Sequence, residues 1–283
     1  MAGKLTIEEY EQLLPVASVK FGTETVRYVV PSRMTLWRVE TLLTKEPETV
    51  EWMSSFAADE ILVDVGANMG LYTIWAAITR RARVFAFEPE AQNFALLNRN
   101  IQLNGLGERV VAWCAALSDE SRFDRLHLNS TTIGDSCHAF GEKVDHRLRP
   151  RNFRGVQGCF STTLDQLVES GAMPAPNHIK IDVDGFEHKV IRGAQRVLAR
   201  PELRSVLVEI NTHLTQHLSV VERLQQLGFQ YSSEQVERCR VKEGAFAGVA
   251  NYVFRRPVAG QIPAPHFPQV LEPARLNALA TEP

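Results

Sequence analysis

Ten residues constrain this chain more than any others: Ile61-Leu-Val-Asp-Val-Gly-Ala-Asn-Met-Gly70. Ile61 to Val65 reads as a buried strand running into a glycine turn. Leu71, Ile74, Trp75 and Ile78 then recur at helical spacing. A second apolar run, Val84-Phe-Ala-Phe, ends on Glu88 and Pro89. Strand, glycine turn, helix and a second strand tipped with an acid form the first half of a nucleoside-binding α/β fold. Gly66 and Gly70 would let the backbone approach a ligand where a Cβ would collide. Glu88, at the tip of the neighbouring strand, can accept hydrogen bonds from both hydroxyls of a ribose.

The glycine spacing argues about which nucleoside. A dinucleotide fingerprint needs G-x-G-x-x-G, so that a pyrophosphate rests on a helix N-terminus. Here the order is Asp64-x-Gly66-x-Asn68-x-Gly70, which does not match. Asp64 would repel a pyrophosphate and suits a ligand with a positive end, such as S-adenosylmethionine. A dinucleotide-dependent oxidoreductase is therefore disfavoured. The expected cofactor-binding set is Asp64, Gly66, Ala67, Asn68, Gly70, Glu88, Pro89 and Asp182. Ser118, with Asp119 beside it, is the candidate for the adenine end.

Three runs then fall in order: D-V-G-A-N-x-G-x-Y-T from Asp64 to Thr73, F-E-P from Phe87 to Pro89, and I-K-I-D-V-D-G-F-E from Ile179 to Glu187. Together they resemble the FkbM family of S-adenosylmethionine-dependent methyltransferases, over roughly residues 55 to 230. The resemblance implies a Rossmann-like class I methyltransferase fold. It also implies O-methylation of a hydroxyl on a sugar, glycolipid or other secondary metabolite. The alternative is a non-catalytic adenosylmethionine-binding protein on the same fold.

With 283 residues and 45% hydrophobic content, the chain is long enough for one large α/β domain with additions. Its net charge of −2 gives no electrostatic footprint for nucleic acid. The partner expected is a small-molecule or glycan acceptor, and self-association as a homodimer is left open. Cys114, Cys137, Cys159 and Cys239 are widely spaced and read as reduced thiols of a cytoplasmic protein. No apolar run approaches the roughly 20 residues of a membrane span, and no signal-peptide pattern opens the chain.

The chain divides into an N-terminal extension (1–58), a methyltransferase domain (59–256) with an acceptor-recognition insertion (119–160), and a Pro-rich tail (257–283). In the extension, Thr6 and Glu9 form a capping-box pattern ahead of a short helix. A hairpin is expected around Phe21-Gly22-Thr23, then helices over 36–43 and 47–56. The extension would form a lid or acceptor wall, or pack on the outer helices. Further strands are expected at 110–117, 178–183 and 205–210. A helix capped by Ser219 follows, and residues 229–233 and 252–255 pair as the last two strands. That closes a seven-stranded, mostly parallel sheet with an antiparallel last strand. The insertion reads as a polar loop, and the tail as lying on the surface or partly disordered.

Methyl transfer from a sulfonium is an in-line displacement, so positioning carries much of the acceleration. A weakly acidic alcohol benefits from a base within hydrogen-bond reach. The catalytic candidates are Asp182, Glu209 and His213, with Asp184, Glu187 and His138 behind them. Glu187 reads as an acid satisfying helix N–H groups and His188 as solvated. Asp182, Asp184 and Glu209 could gather oxygens around Mg²⁺. Strand five reads Glu209-Ile-Asn211 with no paired acids, so no metal is assigned.

Overall fold

A computed structural model of the chain describes residues 6–257 and Arg275–Leu276. The Thr6–Glu9 capping box forms in both directions, at 3.1 and 2.8 Å, and opens α1 (Ile7–Gln12). β1 (Val16–Phe21) and β2 (Glu24–Val29) make the expected hairpin. α2 (Arg33–Glu40) starts on Ser32, whose Oγ accepts the Thr35 N–H while the Thr35 hydroxyl accepts the Ser32 N–H. α3 (Pro47–Ser54) has proline in its first turn, where a missing N–H costs nothing.

The domain proper runs β3 (Ile61–Val65), α4 (Leu71–Thr79), β4 (Arg83–Phe87), α5 (Ala91–Leu103) and β5 (Val110–Trp113). It continues through β6 (Ala116–Leu117), β7 (Arg122–Leu128), β8 (Ala139–Phe140), β9 (Gly155–Thr162) and α6 (Leu164–Glu169). β10 (His178–Ile181), α7 (Glu187–Arg192), α8 (Gln195–Ala199), β11 (Ser205–Asn211), α9 (Thr215–Gln226), α10 (Ser233–Cys239) and β12 (Val249–Arg255) complete it. A six-stranded sheet in the order β12-β11-β10-β3-β4-β5 forms the centre, parallel except for β12. Five consecutive apolar or near-apolar strands are what a sheet covered on both faces requires. Trp52, Trp75 and Tyr28 are buried on one face, with the hairpin lying against α4 and α5. Ile179, Val208, Leu224 and Phe254 fill the other.

Four expectations change. The seventh strand does not form: Gln230 alone bridges to Arg255, because the Ser232 hydroxyl accepts the Gln235 N–H and turns the chain into α10. The third core strand stops at Trp113. Ala116–Leu117 instead joins β7, β8 and β9 in a second, four-stranded sheet, so much of the insertion is ordered strand and not loop. α9 begins at Thr215, one turn earlier than a Ser219 cap would set it, and the Ser219 hydroxyl donates back to the Gln216 carbonyl. His188 is buried between α7 and α9, near His217, and not solvated. The Pro-rich tail lies outside the described residues, save Arg275–Leu276, which pairs with β1. Among the described residues, no helix is long and apolar enough to cross a membrane.

One tight approach packs the turn between α7 and α8 against the residue that follows β6. A Cβ on Gly193 would sit 2.0 Å from the Ser118 carbonyl oxygen, although its backbone suits any residue. Gly193→Ala should cost about 1–3 kcal/mol through overpacking alone, read as a lower urea midpoint. A wild-type midpoint would show that the turn between α7 and α8 does not press on this carbonyl.

Candidate functional site

From β3 the chain steps outward through β4 and β5, whereas β10, β11 and β12 step the other way. The loops after β3 and β10 therefore diverge, and a crevice must open outside their carboxyl ends. A cavity of about 510 Å³ lies there, inside the range of roughly 300–1,000 Å³ usual for small-molecule sites. The glycine turn, the tip of β4, residues 115–118, Asp182–Asp184 and Glu209 line it from the sheet side. α2, Lys45, Glu46 and the insertion roof it.

Gly66 sits at φ 80°, and the N–H groups of Gly66 and Ala67 both donate to the Phe87 carbonyl at 2.9 and 3.0 Å. A Cβ at Gly66 would come within 2.0 Å of the Asp182 carbonyl oxygen, so the chain's own β10 loop already demands glycine. Gly70 is a different case. Its φ of 83° starts α4, but its missing Cβ makes room for Leu97, and it does not line the cavity. Ala67 borders a side pocket of about 40 Å³ that opens off the main cavity. Asn68 and Asp184 both hold left-handed backbones, at φ 51° and 53°, on either side of the crevice. Residues with short polar side chains tolerate that strain best.

Glu88 is buried at the tip of β4 and lines the cavity beside Pro89. Its carboxylate accepts the N–H groups of Asn68 (2.7 Å) and Glu90 (2.9 Å), one on each oxygen. Four acceptor positions less two leaves room for two hydroxyls. Burial pushes its pKa up to about 7 in spite of those bonds.

Asp64 does not face the cavity. It lies under the turn, 1% exposed, and accepts the Thr73 hydroxyl at 2.5 Å, tying α4 to β3. Its other oxygen, Oδ1, is buried with no hydrogen-bond partner among the described residues. Ser118 lines the cavity, yet its N–H is spent on the Thr162 carbonyl, and Asp119 is paired with Arg192 at 2.7 Å.

Asp182 and Glu209 line the cavity together. Burial would raise the Asp182 carboxyl, but Lys180 at 2.9 Å outweighs it and holds the group below the usual carboxylate range. Asp184 accepts the Cys137 N–H at 2.6 Å and is pushed up to about 6 by burial and by Asp182. Burial, then Asp182, Glu187 and Asp184, raise Glu209 well above an ordinary glutamate. His213 is exposed, rests against Gly248 and lies outside the cavity wall. The imidazole in the wall is His138, whose Nδ1 accepts the Asn129 N–H at 3.1 Å and which burial keeps neutral. Glu187 is fully buried, accepts the N–H groups of Val183 and Gly185, and meets His217 Nε2 at 3.0 Å. It holds the 182–185 turn. No group of three acids, histidines or cysteines among the described residues is arranged for a metal ion.

The roof is clamped from both sides. Arg38 Nε and the Ser32 hydroxyl donate to the carbonyls of Gly134 and Ile133, while Asn68 and Asn93 donate to that of Asp135. Sequence reading missed this clamp and missed Lys180, which is 2% exposed. The one signal for Lys180 was a lysine inside an otherwise apolar strand.

A family model described as the Methyltransferase FkbM domain matches residues 64–231, more than half of the chain. The chain belongs to the FkbM methyltransferase family. Its methyl donor is accordingly S-adenosylmethionine, and the cavity suits that cofactor in volume and in a buried acid, Glu88, with acceptor positions to spare. The methyltransferase is similar to the hexuronic acid methyltransferase AglP of Haloferax volcanii, 28% identical over 65% of this chain and 70% of that one. It is also similar to Methyltransferase 1 of Beauveria bassiana, 24% identical over 50% of this chain and 61% of the other. Among solved structures, a precorrin-6y C5,15-methyltransferase from Geobacter metallireducens is similar at a TM-score of 0.43 and 14% identity, over 76% of this chain and 89% of that one.

Lys180→Met should leave Asp182 and Asp64 without their shared cation and cost about 3–5 kcal/mol at neutral pH. The unpaired acids then bind protons more readily when folded than when unfolded, so part of that loss returns at pH 5. Urea melts of the variant at pH 5 and pH 8 check this, and equal losses at both would rule out the charge argument.

Proposed function

We propose that this methyltransferase transfers the methyl group to a hydroxyl of a sugar-bearing acceptor, with Glu209 as the base. The observation that carries the reading is the pairing of Glu88 and Glu209 across one cavity. Glu88 accepts from the ribose diol on one flank. Glu209, with raised proton affinity, sits at the open edge where an acceptor hydroxyl would arrive. When bound, S-adenosylmethionine supplies a methyl group already activated on a sulfonium. The chain's own work is to align the acceptor oxygen, exclude water and take up the alcohol proton. Asp182 stays ionised beside that place and favours the positive sulfonium.

Acceptor recognition falls to the extension and the insertion in this proposal. Trp37 lies partly exposed in the cavity wall and offers a flat apolar surface to a sugar ring, while Glu48 offers an acceptor to its hydroxyls. A relative named for a hexuronic acid supports a sugar acceptor. The four free thiols suit work in the cytoplasm.

Isothermal titration should show adenosylhomocysteine binding that Glu88→Ala abolishes. Unchanged affinity would remove the ribose assignment. Transfer of labelled methyl to a panel of glycans, glycolipids and uronic acids should give an alkali-stable ether. Label released by mild alkali would mean a carboxyl ester instead, and would sink the hydroxyl reading. Glu209→Gln should lower kcat on the order of 100-fold with donor affinity kept; full activity would exclude Glu209 as the base.

A further inference from the structure

We infer that the N-terminal extension supplies the recognition site for the amino-acid end of the methyl donor, with Arg38 holding its carboxylate and Glu46 its ammonium. This rests on the donor site described above. The ribose end lies at Glu88, and the adenine end must run towards residues 115–118 beyond Pro89. The other half of the donor then passes over Gly66 to the opposite flank. There the 40 Å³ side pocket opens, sharing Arg38, Gly66, Asn68 and Asp182 with the main cavity.

The charges of that pocket fit a zwitterion and little else. A methionine end at neutral pH is one carboxylate and one ammonium on the same carbon. Its binding site must therefore present both signs within a few ångströms. Arg38 and Lys45 line the pocket as cations, and Glu46 and Asp182 as anions. Among the described residues Arg38 spends only Nε, on the Gly134 carbonyl at 2.8 Å, so its two terminal nitrogens stay available for a forked contact with a carboxylate. The Glu46 carboxylate is fixed in place by the Tyr72 hydroxyl at 3.0 Å and by Lys45 Nζ at 2.6 Å. Lys180 is committed to Asp182 and sits over the Tyr72 ring. The deep cation is thus neutralised by Asp182 and Lys45 by Glu46, which leaves the Arg38 fork for the ligand.

Arg38, Lys45 and Glu46 all precede residue 64, where the match to the family domain begins. The assignment therefore belongs to this chain's own extension. It also takes over the task that the sequence suggested for Asp64, which is buried under the turn.

Two ligands that share the adenosyl-sulfur half separate this site from the rest. Adenosylhomocysteine carries the amino-acid end; methylthioadenosine lacks it. By isothermal titration, Arg38→Ala and Glu46→Gln should each weaken adenosylhomocysteine by about 10- to 100-fold and leave methylthioadenosine unchanged. Unchanged methylthioadenosine binding also shows that the variants are folded. Glu88→Ala, in contrast, should weaken both ligands, so failure of the ribose assignment shows separately. Adenosylhomocysteine bound as tightly by Arg38→Ala as by the wild type would overturn the inference. So would an equal loss of both ligands.

Discussion

One buried ammonium holds the crevice together. Lys180 stands directly across the sheet from Asp64, its register partner on β3, and its Nζ reaches Asp182 at the end of its own strand. Lys180 and Asp64 are buried while Asp182 stands at the cavity edge, and without the cation both acids would hold a proton more readily. Lys180 remains fully charged in that setting, since the acids around it outweigh the burial that would otherwise strip its proton. The set keeps Asp182 ionised at the cavity edge and fixes the loop whose carbonyl abuts Gly66. The glycine turn, the acidic loop and the cavity between them share one electrostatic origin.

Around that centre the cavity carboxyls differ in proton affinity. Asp182 is held low by a cation, while Asp184, Glu88 and Glu209 are each raised by burial. Environments that push neighbouring carboxyls apart are how one site holds both charge and proton affinity at neutral pH. A donor that brings a positive sulfur into this field is attracted by the ionised acid.

Much of this was legible from residue order. Short-range grammar marked the strand, the turn and the acid at Glu88, because a glycine at φ 80° and an acid at a strand tip leave clear traces. The β1–β2 hairpin and the Thr6–Glu9 cap were readable for the same reason. The insertion was harder. β7 carries Arg122 and Asp124 on the same side as the buried Leu126 and Leu128, and with the long excursion between β7 and β9 this hid the strand pair. The depth of Asp64 was not legible, because an acid at a strand end looks the same in sequence whether it lines a cavity or lies beneath it. Residues 229–233 misled in another way, since a local serine cap prevailed over apolar strand character. Lys180 could not be weighed at all without knowing which strand would face it.

The clamp on Ile133–Asp135 has a consequence for how such a protein could diversify. Its carbonyls answer to α2 on one side and to the asparagines of the glycine turn and α5 on the other. Gly134 itself has no room for a Cβ against Thr35. A foreign insertion grafted here would arrive without the grip of its own extension. Roof and extension form one inheritable part, to be exchanged together or not at all.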